Sequence, residues 1–135
     1  MLTRACEWAR FDVADAERFA DPTKSVRGGI PVLFPVCGNL PENTLVLPQG
    51  RFPMPQHGVA RDLPWDLEAL EGGDGIRLTL SDSPATQSAY PFRFRLSLDY
   101  RLEHRALAIR ALVEHHEAAA EPAPMPFALG LHPYL

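Results

Sequence analysis

The sequence predicts an all-β protein of antiparallel strands, and three observations carry that expectation. Fourteen prolines in 135 residues leave few windows for a long helix, because each removes a backbone donor and clashes with the preceding turn. Two long runs, Phe92 to Leu102 and Leu107 to Glu114, alternate apolar and polar side chains with the period of two that a half-buried strand requires. Two shorter runs flank a glycine-rich turn, the signature of a hairpin. At this length the chain holds one hydrophobic core and is too short for two ordinary domains. Residues 1–135 are therefore expected to form a single domain.

Taken in chain order, Asp12 to Phe19 is the one stretch suited to a short helix. Gly38 to Gln56 carries four prolines and little periodicity, so it is expected to lack regular structure. A segment of that length inside a compact domain is usually functional or disordered, and its neighbours favour function. Trp65 to Leu70 and Ile76 to Leu80 flank Glu71-Gly72-Gly73-Asp74-Gly75, whose glycines supply the positive φ of a tight turn. In Phe92 to Leu102 the residues Phe92, Phe94, Leu96, Leu98, Tyr100 and Leu102 form one face, and Arg93, Arg95, Ser97, Asp99 and Arg101 the other. One side buried and one wet is the pattern of an antiparallel sheet. After the polar break Glu103-His104-Arg105, Leu107, Ile109, Ala111 and Val113 repeat the alternation, so the two runs are expected to pair as a hairpin. Ala118 to Pro126 reads as a Pro and Ala crossover.

Composition narrows the function. A net charge of −4 argues against a nucleic-acid partner, since such binding draws its affinity from clustered Lys and Arg. Arg93, Arg95 and Arg101 share a strand face, but Asp99 lies among them and no aromatic accompanies them, as on a solvated sheet face. The N-terminal residues contain no apolar run of signal-peptide length, and no stretch approaches a membrane span. A cytoplasmic protein with no membrane partner is expected. Cys6 and Cys37 form neither a CxxC pair nor a framework and are read as reduced thiols. His115 and His116 are adjacent on a strand and point to opposite faces, so no metal site is expected and no cofactor is implied.

Three clusters hold the candidate chemistry: Arg27-Gly28-Gly29-Ile30-Pro31 with Phe34-Pro35, then Gln56-His57-Gly58-Val59-Ala60-Arg61, then Leu131-His132-Pro133-Tyr134. The glycines beside Arg27 let backbone approach a ligand closely, and an arginine fork can grip phosphate or hydroxyl oxygens. Taken singly, an arginine beside two glycines is more often a turn with a solvated charge, and a lone histidine more often a surface or core residue than a catalyst.

Together and in this order, the clusters resemble the hexose-6-phosphate 1-epimerase branch of the sugar mutarotase (aldose 1-epimerase-like) superfamily, whose members carry RGG-x-P-x-x-F/W-P, HG-x-AR and H-x-Y-F stretches. The resemblance runs from about Phe19 to Leu135 and includes Ser83 to Pro91, similar to an S-x-x-T-x-x-x-x-P lead-in to the long strand. The chain departs from the pattern at Val36-Cys37, Val59, His115 and Leu135, which bears on substrate choice more than on fold. The resemblance implies an antiparallel β-supersandwich with loop-borne site residues and a sugar or sugar phosphate as the small-molecule partner. It assigns His132 to protonate the ring oxygen, His57 to hydrogen-bond the sugar near that oxygen, and Arg27 and Arg61, beside Gln56, to bind the substrate and its 6-phosphate. The family's base is a glutamate lying well beyond the second histidine, and no residue up to Leu135 matches it. Sandwich sheets without their later strands would expose inner faces, so self-association, or a chain that is part of a larger protein, is expected. An isomerase that interconverts anomers and a non-catalytic carbohydrate-binding remnant lacking the glutamate are the two functional classes left open.

Overall fold

The computed structural model describes residues 30–116 and 123–133. Within them the chain forms β1 (Val32–Leu33), β2 (Thr44–Leu47), β3 (Gly50–Pro53), β4 (Asp66–Ala69), β5 (Gly75–Ser81), the short helix α1 (Pro84–Gln87), β6 (Phe94–Glu103), β7 (Ala106–His115) and β8 (Gly130–Leu131), with 3-10 turns at Pro41–Asn43 and Ala60–Asp62. Strands β4 to β7 make a four-stranded antiparallel sheet in the order β4-β5-β6-β7, β2 pairs with β3, and β1 pairs with β8. The expected helix at Asp12 to Phe19, together with Cys6, Arg27, Tyr134 and Leu135, lies outside the described residues. Among those described, no helix is long and apolar enough to cross a membrane.

Period-two alternation builds the main sheet as expected. Cross-strand rows such as Leu78, Leu98 and Ala111 on one face, and Arg77, Asp99 and Arg110 on the other, follow from the register. The apolar face supplies Leu78, Leu80, Phe94, Leu96, Leu98 and Tyr100 to the core, all buried. Against it lie Ile30, Val32 and Phe34 of the β1 segment, with Met54 and Ala60. Phe34 sits at the centre with no exposed surface, its ring 5.8 Å from Tyr90, 5.2 Å from Phe94 and 5.8 Å from Phe127. Tilted and edge-on pairs at such separations add to the burial of the rings themselves.

Four details differ from the sequence expectation, each for a local reason. Gly38 to Gln56 is not structureless: it folds into a 3-10 turn and the β2–β3 hairpin, in which Leu45 faces Phe52. Its prolines sit in turns or at the strand end, where a missing N–H is tolerated. Phe92 is buried but precedes β6, because its N–H donates to Tyr90 O at 2.8 Å and the chain is still turning. Ser83 to Gln87 forms a capped helical turn in which Ser83 Oγ accepts from Thr86 N at 3.3 Å and Thr86 Oγ1 accepts from Ser83 N at 2.8 Å, a reciprocal capping box. Glu103 pairs with Ala106, so the hairpin turn is His104-Arg105 alone, and Leu102 beside it is 67% exposed rather than buried.

The polar face of the sheet is more ordered than a simply solvated one. Arg77 donates to both carboxylate oxygens of Asp99, at 2.6 and 2.7 Å, and Arg101 donates to Asp74 at 2.7 Å. The Arg77 guanidinium holds the Asp99 carboxyl below its ordinary pKa, chiefly through that hydrogen bond and against the opposing effect of burial. Arg77 and Asp99 help line an open groove of about 500 Å³.

Candidate functional site

The segment Pro31–Pro35 is the strut on which the histidine clusters are mounted. On one side β1 pairs with β8, Val32 opposite Leu131 and Leu33 opposite Gly130, and His132 N donates to Pro31 O at 3.0 Å just past the end of β8. On the other, Phe34 O accepts from Val59 N at 2.9 Å and from Ala60 N at 3.3 Å, and Phe34 bridges to Gly58. Both histidine loops are thus hydrogen-bonded to one short, largely buried segment. Arg27, three positions before Ile30 in the sequence, lies outside the described residues.

Glycine at position 58 is required by contact as well as conformation. Its φ is +75°, and an added Cβ would meet Phe34 O at 2.1 Å and Phe34 C at 2.4 Å, atoms of a backbone that cannot rotate away. The close approach lets the loop's N–H groups reach the Phe34 carbonyl.

His57 is clasped to Gly38 at two points. Its backbone N donates to Gly38 O at 2.8 Å, and Gly38 N donates to its Nδ1 at 3.0 Å. A ring nitrogen that accepts cannot carry a proton, so in the neutral ring the proton sits on Nε2. His57 is therefore set up as a hydrogen-bond donor through Nε2, and protonation at Nδ1 would cost it the Gly38 bond. The residue is half-buried, and its φ is +67°, a left-handed conformation that is uncommon outside glycine. Gln56, just before it, is exposed.

Arg61 stands in the 3-10 turn Ala60–Asp62. Its Nε donates to Asp62 Oδ2 at 3.2 Å, with both side chains well exposed. An exposed pair of this kind holds at most about 1 kcal/mol, so an anion of higher charge can draw the guanidinium away cheaply. Trp65 anchors the turn, its Nε1 donating to Ala60 O at 2.9 Å.

The crossover before β8 is fastened to the same strut. Ala128 N donates to Pro35 O at 2.7 Å, and Tyr90 Oη donates to Pro126 O at 2.9 Å. Burial pushes the Tyr90 phenol well above its ordinary pKa, so it keeps its proton and its donor role. His132 itself is exposed. Sequence reasoning missed Gly38, Trp65 and Tyr90 as positioning residues. Trp65 and Tyr90 carried only an aromatic-residue signal, and Gly38 only that of a glycine after the Phe34-Pro35 stretch.

The groove on the polar face of β4 to β7 contains none of these residues. Two of its charges, Arg77 and Asp99, already satisfy each other, so the strut and its two loops are the better candidate site.

These antiparallel sheets belong to the mutarotase-like class of folds, as comparison with solved structures shows. A protein of Synechocystis sp. PCC 6803 superposes with a TM-score of 0.76 at 43% identity over 88% of this chain and 40% of its own. A galactose mutarotase-like protein from Lactobacillus casei ATCC 334 gives 0.69 at 30% identity, over 78% of this chain and 34% of its own. Residues 14–135 match the family model described as aldose 1-epimerase, and the chain belongs to that family. It is also 36% identical, over 81 residues, to a protein of Escherichia coli (strain K12) provisionally named as a glucose-6-phosphate 1-epimerase, a match that takes in 58% of this chain and 24% of that protein. The chain thus spans under half the length of these relatives.

Proposed function

We propose that the chain is the histidine-bearing part of a hexose-6-phosphate 1-epimerase and that its one domain binds an aldohexose 6-phosphate between the two histidine loops. Anomer exchange opens the hemiacetal ring: a proton leaves the C1 hydroxyl, the bond from C1 to the ring oxygen breaks, and a proton reaches that oxygen. Rotation about C1–C2 and reclosure then give the other anomer. In this reading His132 supplies the proton to the ring oxygen as general acid. His57 donates from Nε2 to the sugar beside that oxygen. Arg61 and Arg27 take the phosphate through charge-assisted hydrogen bonds, with Gln56 on a neighbouring hydroxyl.

The observation that carries the reading is the fixed tautomer of His57. A donor locked by Gly38 supports division of labour between the two histidines, one orienting and one transferring a proton. The base is not assigned among the described residues: Glu103 adjoins the hairpin turn and Glu114 lies on the polar sheet face, away from the strut. Binding is accordingly expected to exceed turnover in the 135-residue chain.

Titration calorimetry with a hexose 6-phosphate and with the free hexose tests the substrate class. The phosphate ester should bind more tightly, and Arg61→Ala should weaken it by roughly one to two orders of magnitude, the worth of a charge-assisted contact. Equal affinities for the two sugars, or no effect of the substitution, would move the site to an unphosphorylated sugar. In any form of the protein that turns over, His132→Asn should slow anomer exchange by about 100-fold or more while changing binding little.

A further inference from the structure

We propose that the groove on the polar face of β4 to β7 is a second, non-catalytic binding site for a short neutral saccharide, whose hydroxyls bond to Thr79, Ser81, Ser97 and Arg95. It is built only from described residues of the four-stranded sheet, apart from the strut and whatever the strut binds.

The register gathers the polar groups into one block. Thr79 faces Ser97, and Ser81 faces Arg95, across β5 and β6. Asp82 N donates to Phe94 O at 3.0 Å and Leu102 N to Asp74 O at 2.9 Å, so even-numbered residues of β6 carry the backbone bonds to β5. The odd-numbered pairs are then the non-hydrogen-bonded ones, whose side chains stand closer. One step along, Arg77 and Asp99 use that proximity to bond one another at 2.6 and 2.7 Å. The neighbouring block does not. Among the described residues the hydroxyls of Thr79, Ser81 and Ser97 make no hydrogen bond, and Arg95 makes neither a hydrogen bond nor an ion pair, although Glu114 lies opposite it on β7.

Ser97 separates this face from an ordinary solvated one. The residue is 9% exposed, yet its Oγ is not sealed from the surface, so the hydroxyl looks into the groove it helps to line. A polar group sunk this far without a protein partner calls for a bond from something else.

The surrounding charges narrow the ligand. Three arginines, at 77, 95 and 110, face four carboxylates, at 66, 68, 99 and 114, so the groove holds no excess of positive charge for an oxyanion. A guanidinium only donates, a carboxylate only accepts, and a hydroxyl does both; a polyol satisfies all three without adding charge. Leu112, opposite Ser97 and 49% exposed, offers an apolar patch to the C–H face of a sugar ring. Glu114 and Arg110, four residues apart on β7, lie about 13 Å from one another along the strand. That span, in a groove of about 500 Å³, the size of a small-ligand pocket, suits a short chain of rings better than a single one.

Amide NMR spectra of the 135-residue chain, titrated separately with maltotriose, cellotriose and xylotriose up to ~20 mM, read binding as weak as the millimolar range. At least one trisaccharide should shift the Thr79, Ser97 and Leu112 amides saturably, and inorganic phosphate should leave them in place. Arg95→Ala should weaken that binding by ~10- to 100-fold and Ser97→Ala by ~2- to 10-fold. Unchanged signals elsewhere in the spectrum check that both variants fold, and Arg95, an exposed side chain, can be removed without disturbing the core. No saturable shift with any of the three sugars, shifts confined to the histidine loops, variants that bind as well as the wild type, or a groove that answers to phosphate instead would each overturn the proposal.

Discussion

Replacing Gly58 with alanine should be far more damaging than the same change at Gly73, although both residues have φ of +75°. At Gly73 an added Cβ finds nothing within 4 Å, so the cost is the left-handed penalty alone, about 1 to 2 kcal/mol. At Gly58 the same penalty is joined by the collision with Phe34 O at 2.1 Å. Relief requires the loop to part from the strut, which breaks the Val59 N and Ala60 N bonds to Phe34 O. At about 0.5 to 1.5 kcal/mol each, with Phe34 O left buried, Gly58→Ala should cost about 2 to 5 kcal/mol in all. Urea unfolding of the two variants side by side measures the difference, and the common backbone term cancels. A Gly58→Ala loss no larger than that of Gly73→Ala would show that the His57 loop does not press on the Phe34 carbonyl, and the account of the strut would fail with it.

Other perturbations reach the same framework. Tyr90→Phe removes the bond to Pro126 O and should destabilise the fold by about 1 kcal/mol. It should also flatten the loss of stability in alkali: a phenol whose folded pKa is raised stabilises below its unfolded value of about 10 and loses that contribution as pH climbs through the folded one. Asp99 behaves in the opposite sense. Its folded pKa is depressed by Arg77, so its contribution is present above about pH 4 and is lost as acid carries the pH through the lower folded value. Asp99→Asn should therefore weaken the protein at neutrality and make its melting temperature less sensitive to acid, as thermal scans across that range would show.

Much of this framework was legible in the sequence, for reasons that differ by element. The alternation in Phe94 to Tyr100 reports a buried face directly, so the main sheet, its hairpins and most of its core could be read off. Leu102 broke the pattern because apolar character alone does not show where a strand leaves the cover of its neighbours. The β2–β3 hairpin was hidden because its prolines occupy turn and strand-end positions that look, in sequence, like an absence of structure. At the candidate site, His57, Arg61 and His132 were singled out by motif order. Their support was not legible: Gly38, Trp65 and Tyr90 act through single side-chain hydrogen bonds across 19, 5 and 36 residues, and no local pattern marks such partners. Nor does sequence show a tautomer, which depended on Gly38 donating to His57 Nδ1.

The central claim is that the two histidine loops, mounted on one strut, form a single site for a hexose 6-phosphate. The most direct test follows the imidazole NMR signals of the 135-residue chain as that sugar phosphate is added. His57 and His132 should shift together and give one dissociation constant, while His104, in the hairpin turn, and His116, beyond β7, should stay in place. Movement of only one of the site histidines, two different constants, or shifts confined to His104 and His116 would contradict it.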